Sequence, residues 1–169
     1  MKTSRPPPSK IRVTKLQETQ LGAVETIERS VSGRRTLAQI VGLTKLHNVR
    51  VAEADDKVAG WLAWRDEAPG VAYLEVIEVD HEKQRLGIGG KLLDDALGEA
   101  KSLNLDHMLV RCPTKATSGL AFFRKQGFLE LGAQDPDRVT AWLEEQRAAE
   151  HGPKDGELIL WAETRRIMP

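Results

Sequence analysis

Ile11-Arg12-Val13-Thr14-Lys15-Leu16 alternates apolar and polar side chains, the period of a strand with one face buried. The period then lengthens. Leu21, Val24, Ile27 or Glu28, and Val31 recur at helical spacing, and Gly33 follows as a stop. Thr36 with Gln39 three positions on fits a reciprocal N-terminal cap, opening a second helix whose apolar face is Leu37, Ile40, Val41 and Leu43 to Leu46. Val49 to Ala54, Val58 to Arg65 and Val71 to Val79 then read as three strands. They are separated by Asp55-Asp56-Lys57 and by Asp66-Glu67-Ala68-Pro69-Gly70, lengths that suit antiparallel hairpins. In the middle strand Trp61 and Trp64 fall on opposite faces, so that strand is expected to be covered on both sides.

Beyond a glycine-rich turn the helical period returns. Ile88, Leu92, Ala96, Ala100 and Leu103 form an apolar stripe, with Lys91, Asp94, Asp95, Glu99 and Lys101 largely off it. Met108-Leu109-Val110-Arg111 is a short buried strand. Because a helix leads to it, it should run parallel to Val71–Val79. A helix over about Ala116 to Gln126 ends at Gly127, where Phe123 and Phe128 are spaced for the apolar contact of a Schellman ending. Residues 135–156 read as an insertion with a helix of its own. Asp135 is expected to cap it and Pro136 to occupy its first turn, with Val139, Trp142 and Leu143 making an apolar face that would suit a second copy of the chain. Glu157 to Glu163 is the last strand. Arg5-Pro6-Pro7-Pro8 removes backbone donors, so residues 1–9 are expected to be an extended, disordered tail ahead of a single domain over 10–169.

Composition narrows the class. A chain of 169 residues with 40% apolar and 30% charged residues suits one soluble globular core. Lys plus Arg (25) equals Asp plus Glu (25), so the chain lacks the basic excess that draws proteins to nucleic acid or anionic lipid; neither partner is expected. A lone cysteine, Cys112, cannot make an internal disulfide, and no stretch resembles a signal peptide or a membrane span, which together imply a cytoplasmic protein. The four histidines show no metal-ligand spacing, and no metal is expected.

The chemistry concentrates after Val79. Glycines at 87, 89 and 90 immediately before a helix permit backbone conformations in which successive N–H groups converge on one anion, and the helix N-terminus adds partial positive charge. Arg85 can neutralise a phosphate, so the turn is a candidate pyrophosphate site. A nucleoside triphosphate loop would need a hydroxyl residue after Lys91, where Leu92 stands, and a glycine at 85. A dinucleotide fold would need an acidic residue at the end of the next strand, which reads Val110-Arg111-Cys112. Both fail.

Gln84-x-x-Gly87-x-Gly89, preceded by Ile77-Glu78-Val79-Asp80 and followed by Ala121-Phe122-Phe123-Arg124-Lys125-Gln126-Gly127-Phe128, resembles the GNAT superfamily of acetyl-CoA-dependent N-acetyltransferases. The order of elements from Ile11 to the last strand matches as well. The resemblance implies an α/β (α+β) fold with a mixed, mostly antiparallel central sheet, helices on both faces and a V-shaped split between two parallel strands. It implies transfer of an acetyl group from acetyl-CoA to a primary amine of a small-molecule or peptide acceptor, by direct attack in a ternary complex. The CoA pyrophosphate would sit on the amides of Arg85, Leu86, Gly87, Ile88, Gly89 and Gly90 next to Gln84. The pantetheine arm would pair like an extra strand where the strand of Ile77 and Val79 parts from that of Leu109 to Arg111, and the Val79 amide would polarise the thioester carbonyl.

Acetylating an amine requires the ammonium to lose a proton, and Glu75 and Glu78 are the candidate bases on a strand expected to be central. Three apart, they point to opposite faces unless a bulge intervenes. Glu75 is slightly preferred, and an ion pair with Arg65 is the alternative role for either. The family commonly places a tyrosine acid where this chain has Phe123, beside the CoA sulfur. It also commonly places an asparagine where Ala116 stands and a proline where His81 stands. Phe123 cannot donate a proton. The acid is then water or another group such as Cys112, His81 or Thr117, or else the domain is a non-catalytic CoA-binding or sensing module.

Overall fold

The computed structural model describes residues 10–132 and 134–165; the expected N-terminal tail lies outside them. Seven strands are hydrogen-bonded in the order β1 (Ile11–Lys15), β2 (Asn48–Ala54), β3 (Lys57–Ala68), β4 (Val71–Val79), β5 (His107–Pro113), β7 (Glu157–Glu163) and β6 (Leu129–Glu130). The helices are α1 (Leu21–Val31), α2 (Leu37–Leu46), α3 (Ile88–Ser102), α4 (Thr117–Lys125) and α5 (Asp137–Ala148). β4 and β5, joined through α3, pair in parallel as expected. Their ladder runs from Val71–His107 to Leu74–Val110, whereas β4 continues to Val79 and β5 to Pro113.

The chain forms two compact units. One takes in the chain up to Ala63 and Val76–Ala96; the other is Trp64–Glu75 with the chain from Leu97 onward. In the first, β1 and β2 pair antiparallel, and Val24 and Ile27 of α1, Ile40 of α2, Val49, Val51, Trp61 and Val76 make one apolar cluster. α1 stops where the sequence indicates, with Gly33 at φ 63° beyond its last turn and its N–H donating to the Glu28 carbonyl. α2 opens on the expected reciprocal cap: the Gln39 N–H donates to Thr36 Oγ1 (3.2 Å) and the Thr36 N–H to Gln39 Oε1 (2.8 Å). Its apolar face differs from expectation. Only Ile40 is buried, while Leu37 is 40% exposed and Leu46 79% exposed, because a single side of this short helix meets the sheet.

In the second unit β5 pairs with β7 and β7 with β6, both antiparallel, and Val71, Leu109, Ile159 and Trp161 pack with Val139, Trp142 and Leu143 of α5. The α5 face expected to seek a second copy is therefore buried within its own chain. The capping of α5 also differs. Pro136 is the N-cap and no side chain caps the helix, because Asp135 Oδ1 accepts instead from the Gly132 N–H (2.8 Å) and Trp161 Nε1 (3.1 Å). β3 runs on through Asp66, Glu67 and Ala68, leaving Pro69-Gly70 as the turn. Trp61 and Trp64 are both buried, as opposite-facing tryptophans on a doubly covered strand should be. Leu103 falls off the α3 stripe and is 58% exposed; Leu93 and Leu97 are buried instead, widening the stripe.

Candidate active site

β4 ends at Val79, and a single turn of tighter helix, His81–Lys83, carries the chain to the glycine turn ahead of α3. Asp80 starts that turn by accepting the Glu82 N–H on its side chain. Arg85 has φ 65° and Gly87 φ 82°, with Leu86 between them outside the left-handed region. Alternation of handedness of this kind points successive N–H groups to one side, the geometry of an anion nest, and the first turn of α3 continues directly from it. A left-handed arginine is costly, so its presence here marks a turn held in shape by its surroundings. Gln84 supplies part of that hold: its Nε2 donates to the Val79 carbonyl (3.1 Å) and lies 3.4 Å from His81 Nδ1. His81 Nε2 in turn donates to the Ser30 carbonyl at the end of α1 (3.0 Å). The Arg85 side chain is exposed. Ile88 is buried and offers the turn only its amide, while Leu86, Gly89 and Gly90 are half-buried around it.

The two glutamates meet different surroundings. Along β4, Tyr73, Glu75, Ile77 and Val79 are half-buried, and Leu74, Val76 and Glu78 are buried, so Glu75 and Glu78 do lie on opposite sides. Glu75 Oε2 accepts from Arg65 Nη1 at 2.7 Å; Arg65 also binds Glu67 at 2.8 Å and lies 4.5 Å from the Tyr73 ring centroid. The ion pair weighed for this residue is thus formed. Glu78 is 6% exposed and accepts from Trp61 Nε1 at 2.9 Å, with the fully buried carboxyl of Glu28 against it. Burial, followed by the bond to Glu28, pushes the Glu78 carboxyl up to about 7. For Glu28 burial acts in the same upward sense, but the bonds from Glu78 and Ser32 and the charge of Arg35 outweigh it and leave that carboxyl below its usual range. Glu28 was legible as a carboxylate at a core position of the α1 stripe, but its spacing along the helix does not mark it as a site residue.

Phe123 lies near the end of α4, buried, with its ring edge-on to Phe128 at 5.3 Å. The Phe128 N–H donates to the Phe123 carbonyl and the Gly127 N–H to the Arg124 carbonyl, with Gly127 at φ 91°, which is the Schellman ending the sequence indicates. Ala116 stands at the N-cap of α4 without a side-chain bond. Cys112 is buried and its thiol pushed up by that burial, so it stays protonated and unreactive. Among the described residues no cluster of three or more His, Cys, Asp or Glu side chains could hold a metal, and no helix is long and apolar enough to cross a membrane.

The sequence model of the acetyltransferase (GNAT) family matches residues 21–128, well over half of the chain, and the protein belongs to that family. Solved structures agree in fold. The ribosomal-protein-S18-alanine N-acetyltransferase of Escherichia coli superposes with a TM-score of 0.71 at 17% identity, covering 94% of this chain and 97% of the other. Ard1 of Thermoplasma volcanium gives 0.72 at 17% identity, over 92% and 99%. The PaiA N-acetyltransferase of Thermoplasma acidophilum, solved in complex with coenzyme A, gives 0.67 at 16% identity, over 91% and 99%. Comparison with curated protein sequences gives no significant match.

Proposed function

We propose that the chain transfers the acetyl group of acetyl-CoA to a primary amine of a small-molecule or peptide acceptor, by direct attack within a ternary complex. The observation that carries this reading is the turn of Gln84 to Gly90, where left-handed Arg85 and Gly87 prepare a row of amides at the head of α3. Its residues fit a pyrophosphate: a nest of N–H groups, a helix N-terminus and an exposed guanidinium all favour a doubly charged anion. The amides from Arg85 to Gly90 would hold that group. The backbone of Ile77 to Val79, on the part of β4 beyond the parallel ladder, would hold the arm that leads to the thioester. The bound donor supplies an activated acetyl group. Gln84 fixes the Val79–Asp80 peptide by its bond to the Val79 carbonyl, at the end of the strand whose Val79 amide would polarise the carbonyl being attacked.

Glu78 suits the base better than Glu75. Glu75 is engaged in a short ion pair with Arg65, whereas Glu78 is buried beside another carboxyl, which favours taking up a proton. Acetyl-CoA at 100 times its dissociation constant should stabilise the protein by about 2.7 kcal/mol, and a panel of amines should release free thiol. No thermal shift with acetyl-CoA and no thiol release would overturn the proposal. Glu75→Gln abolishing turnover while Glu78→Gln spares it would reverse the choice of base.

A second reading rests on Phe123, which supplies no proton where the family commonly has a tyrosine: the domain binds CoA without transfer. Saturable CoA binding without turnover across the amine panel would establish it in place of the first.

A further inference from the structure

We infer that Glu28 and Glu78 act as one unit in the transfer proposed above, a carboxyl pair that shares a single proton, with Glu28 as the positioning residue and Glu78 as the group that takes the proton of the acceptor amine. This rests on the acetyltransferase reading and deepens it, because it assigns a role on α1 to a residue that the glycine turn and β4 do not include.

Two ionised carboxylates are acceptors only, so Glu28 and Glu78, both buried and set against each other, can bond only with a proton between them. Its location follows from the other partners. Glu28 Oε2 accepts from Ser32 Oγ (3.1 Å), and Glu28 Oε1 from the Arg35 N–H (2.9 Å) and Arg35 Nη1 (3.3 Å). Three donors, one of them cationic, hold Glu28 as the anion. Among the described residues Glu78 has only neutral donors besides, Trp61 Nε1 at 2.9 Å and the Ser32 hydroxyl, and no cation. The proton therefore resides on Glu78 and points at Glu28. The groups facing the pair are Ser32 and Arg35 from the chain between α1 and α2, and Trp61 from β3; His81, from the turn after β4, uses Nε2 on the Ser30 carbonyl.

A buried carboxyl pair is expensive, and apolar side chains of similar size would serve stability better. Its position gives it a use. Glu78 precedes Val79, the residue whose carbonyl Gln84 clamps, so the proton acceptor sits one residue from the amide proposed to polarise the thioester. Once the pair has released its proton to solvent, the ammonium of the acceptor gives one proton to it, directly or through one water. The neutral nitrogen then bonds to the acetyl carbon as the carbon–sulfur bond breaks. The second proton leaving nitrogen neutralises the departing thiolate, and the pair returns its own proton to solvent.

The test is the pH profile of kcat/KM on the full chain with an amine from the panel. The wild type should show an acidic limb set by the pair. Glu28→Gln removes the like charge and should move that limb to lower pH by about one unit or more; Glu28→Asp should leave it near the wild-type position. Glu78→Gln should remove the limb and lower kcat by ~10²–10⁴. A limb unmoved in Glu28→Gln that still shows a thermal shift with CoA overturns the inference. Should Glu28→Gln fail to fold, Trp61→Phe serves instead: it deletes a donor to the Glu78 carboxylate and should move the limb to higher pH, an unmoved limb again overturning the inference. Carboxyl infrared titration of the CoA-bound protein separates the two claims. A carboxyl titrating near neutrality in the wild type, absent from both Gln variants, with no turnover, overturns the acetyltransferase reading and the pair's role in it. Turnover without that titration overturns the pair alone.

Discussion

A carboxylate in the core is stable only in company, and Glu78 finds it in Trp61 and Glu28. The folded protein holds the Glu78 proton more tightly than the unfolded chain, since its carboxyl is raised to about 7. The stability this contributes is present in full below the ordinary carboxyl range and falls away as pH rises towards 7, at up to about 1.4 kcal/mol per pH unit. Glu28 works in the opposite sense: its carboxyl is lowered, so its contribution is lost as pH falls through that lowered range. The melting temperature should therefore decline from about pH 5 to about pH 7 and level off above it, and Glu78→Gln should flatten the decline; thermal melts across that range check both. At the glycine turn, Gly87 at φ 82° takes a conformation that favours a residue without a Cβ. Gly87→Ala should cost about 1–2 kcal/mol and weaken CoA binding measured by calorimetry. Gly87 was legible because its constraint is local. Glu28 was not assigned to the site because its partner is 50 residues away on β4, and a stripe pattern does not say which charged residue has found a partner.

The ends of elements were legible to the same extent that they are made locally. The Thr36–Gln39 cap, the Gly33 stop of α1 and the Phe123–Gly127–Phe128 ending of α4 each close within a few residues, and all three form. The cap of α5 does not form as expected, because Asp135 is drawn to the indole of Trp161 on β7, a competitor that spacing along the chain cannot reveal. The exposed leucines of α2 have a similar origin: periodicity marks an apolar face but not how much of it the sheet can cover. With Ile40 its only buried residue, α2 depends unusually on its cap. Thr36→Ala should cost about 1–2 kcal/mol by chemical denaturation. The same substitution should loosen Arg35, the neighbour that holds Glu28, so the pH dependence of stability should change along with its size.

For the whole molecule, the order of strands and helices followed from changes of period, and the parallel β4–β5 pair followed from the helix that separates them. The destination of the 135–156 segment did not. An amphipathic helix with an apolar face could pair with another copy or pack at home, and only the exposed faces of β4, β5 and β7 decide between them. In the structure Val139, Trp142 and Leu143 complete the cluster of Val71, Leu109, Ile159 and Trp161, with Trp142 Nε1 donating to Glu67 Oε1 at 3.2 Å and Arg111 set 5.7 Å from the Trp142 ring centroid. Removing the segment would uncover that cluster. Deletion of residues 135–156 should therefore lower the melting temperature and produce binding of a hydrophobic dye, whereas a helix that only joined two copies would leave a stable monomer behind. Trp142→Ala isolates the packing term. It should cost about 3–5 kcal/mol in equilibrium unfolding while the mass by light scattering stays that of the wild type, and a change of mass without loss of stability would return α5 to the role of an interface.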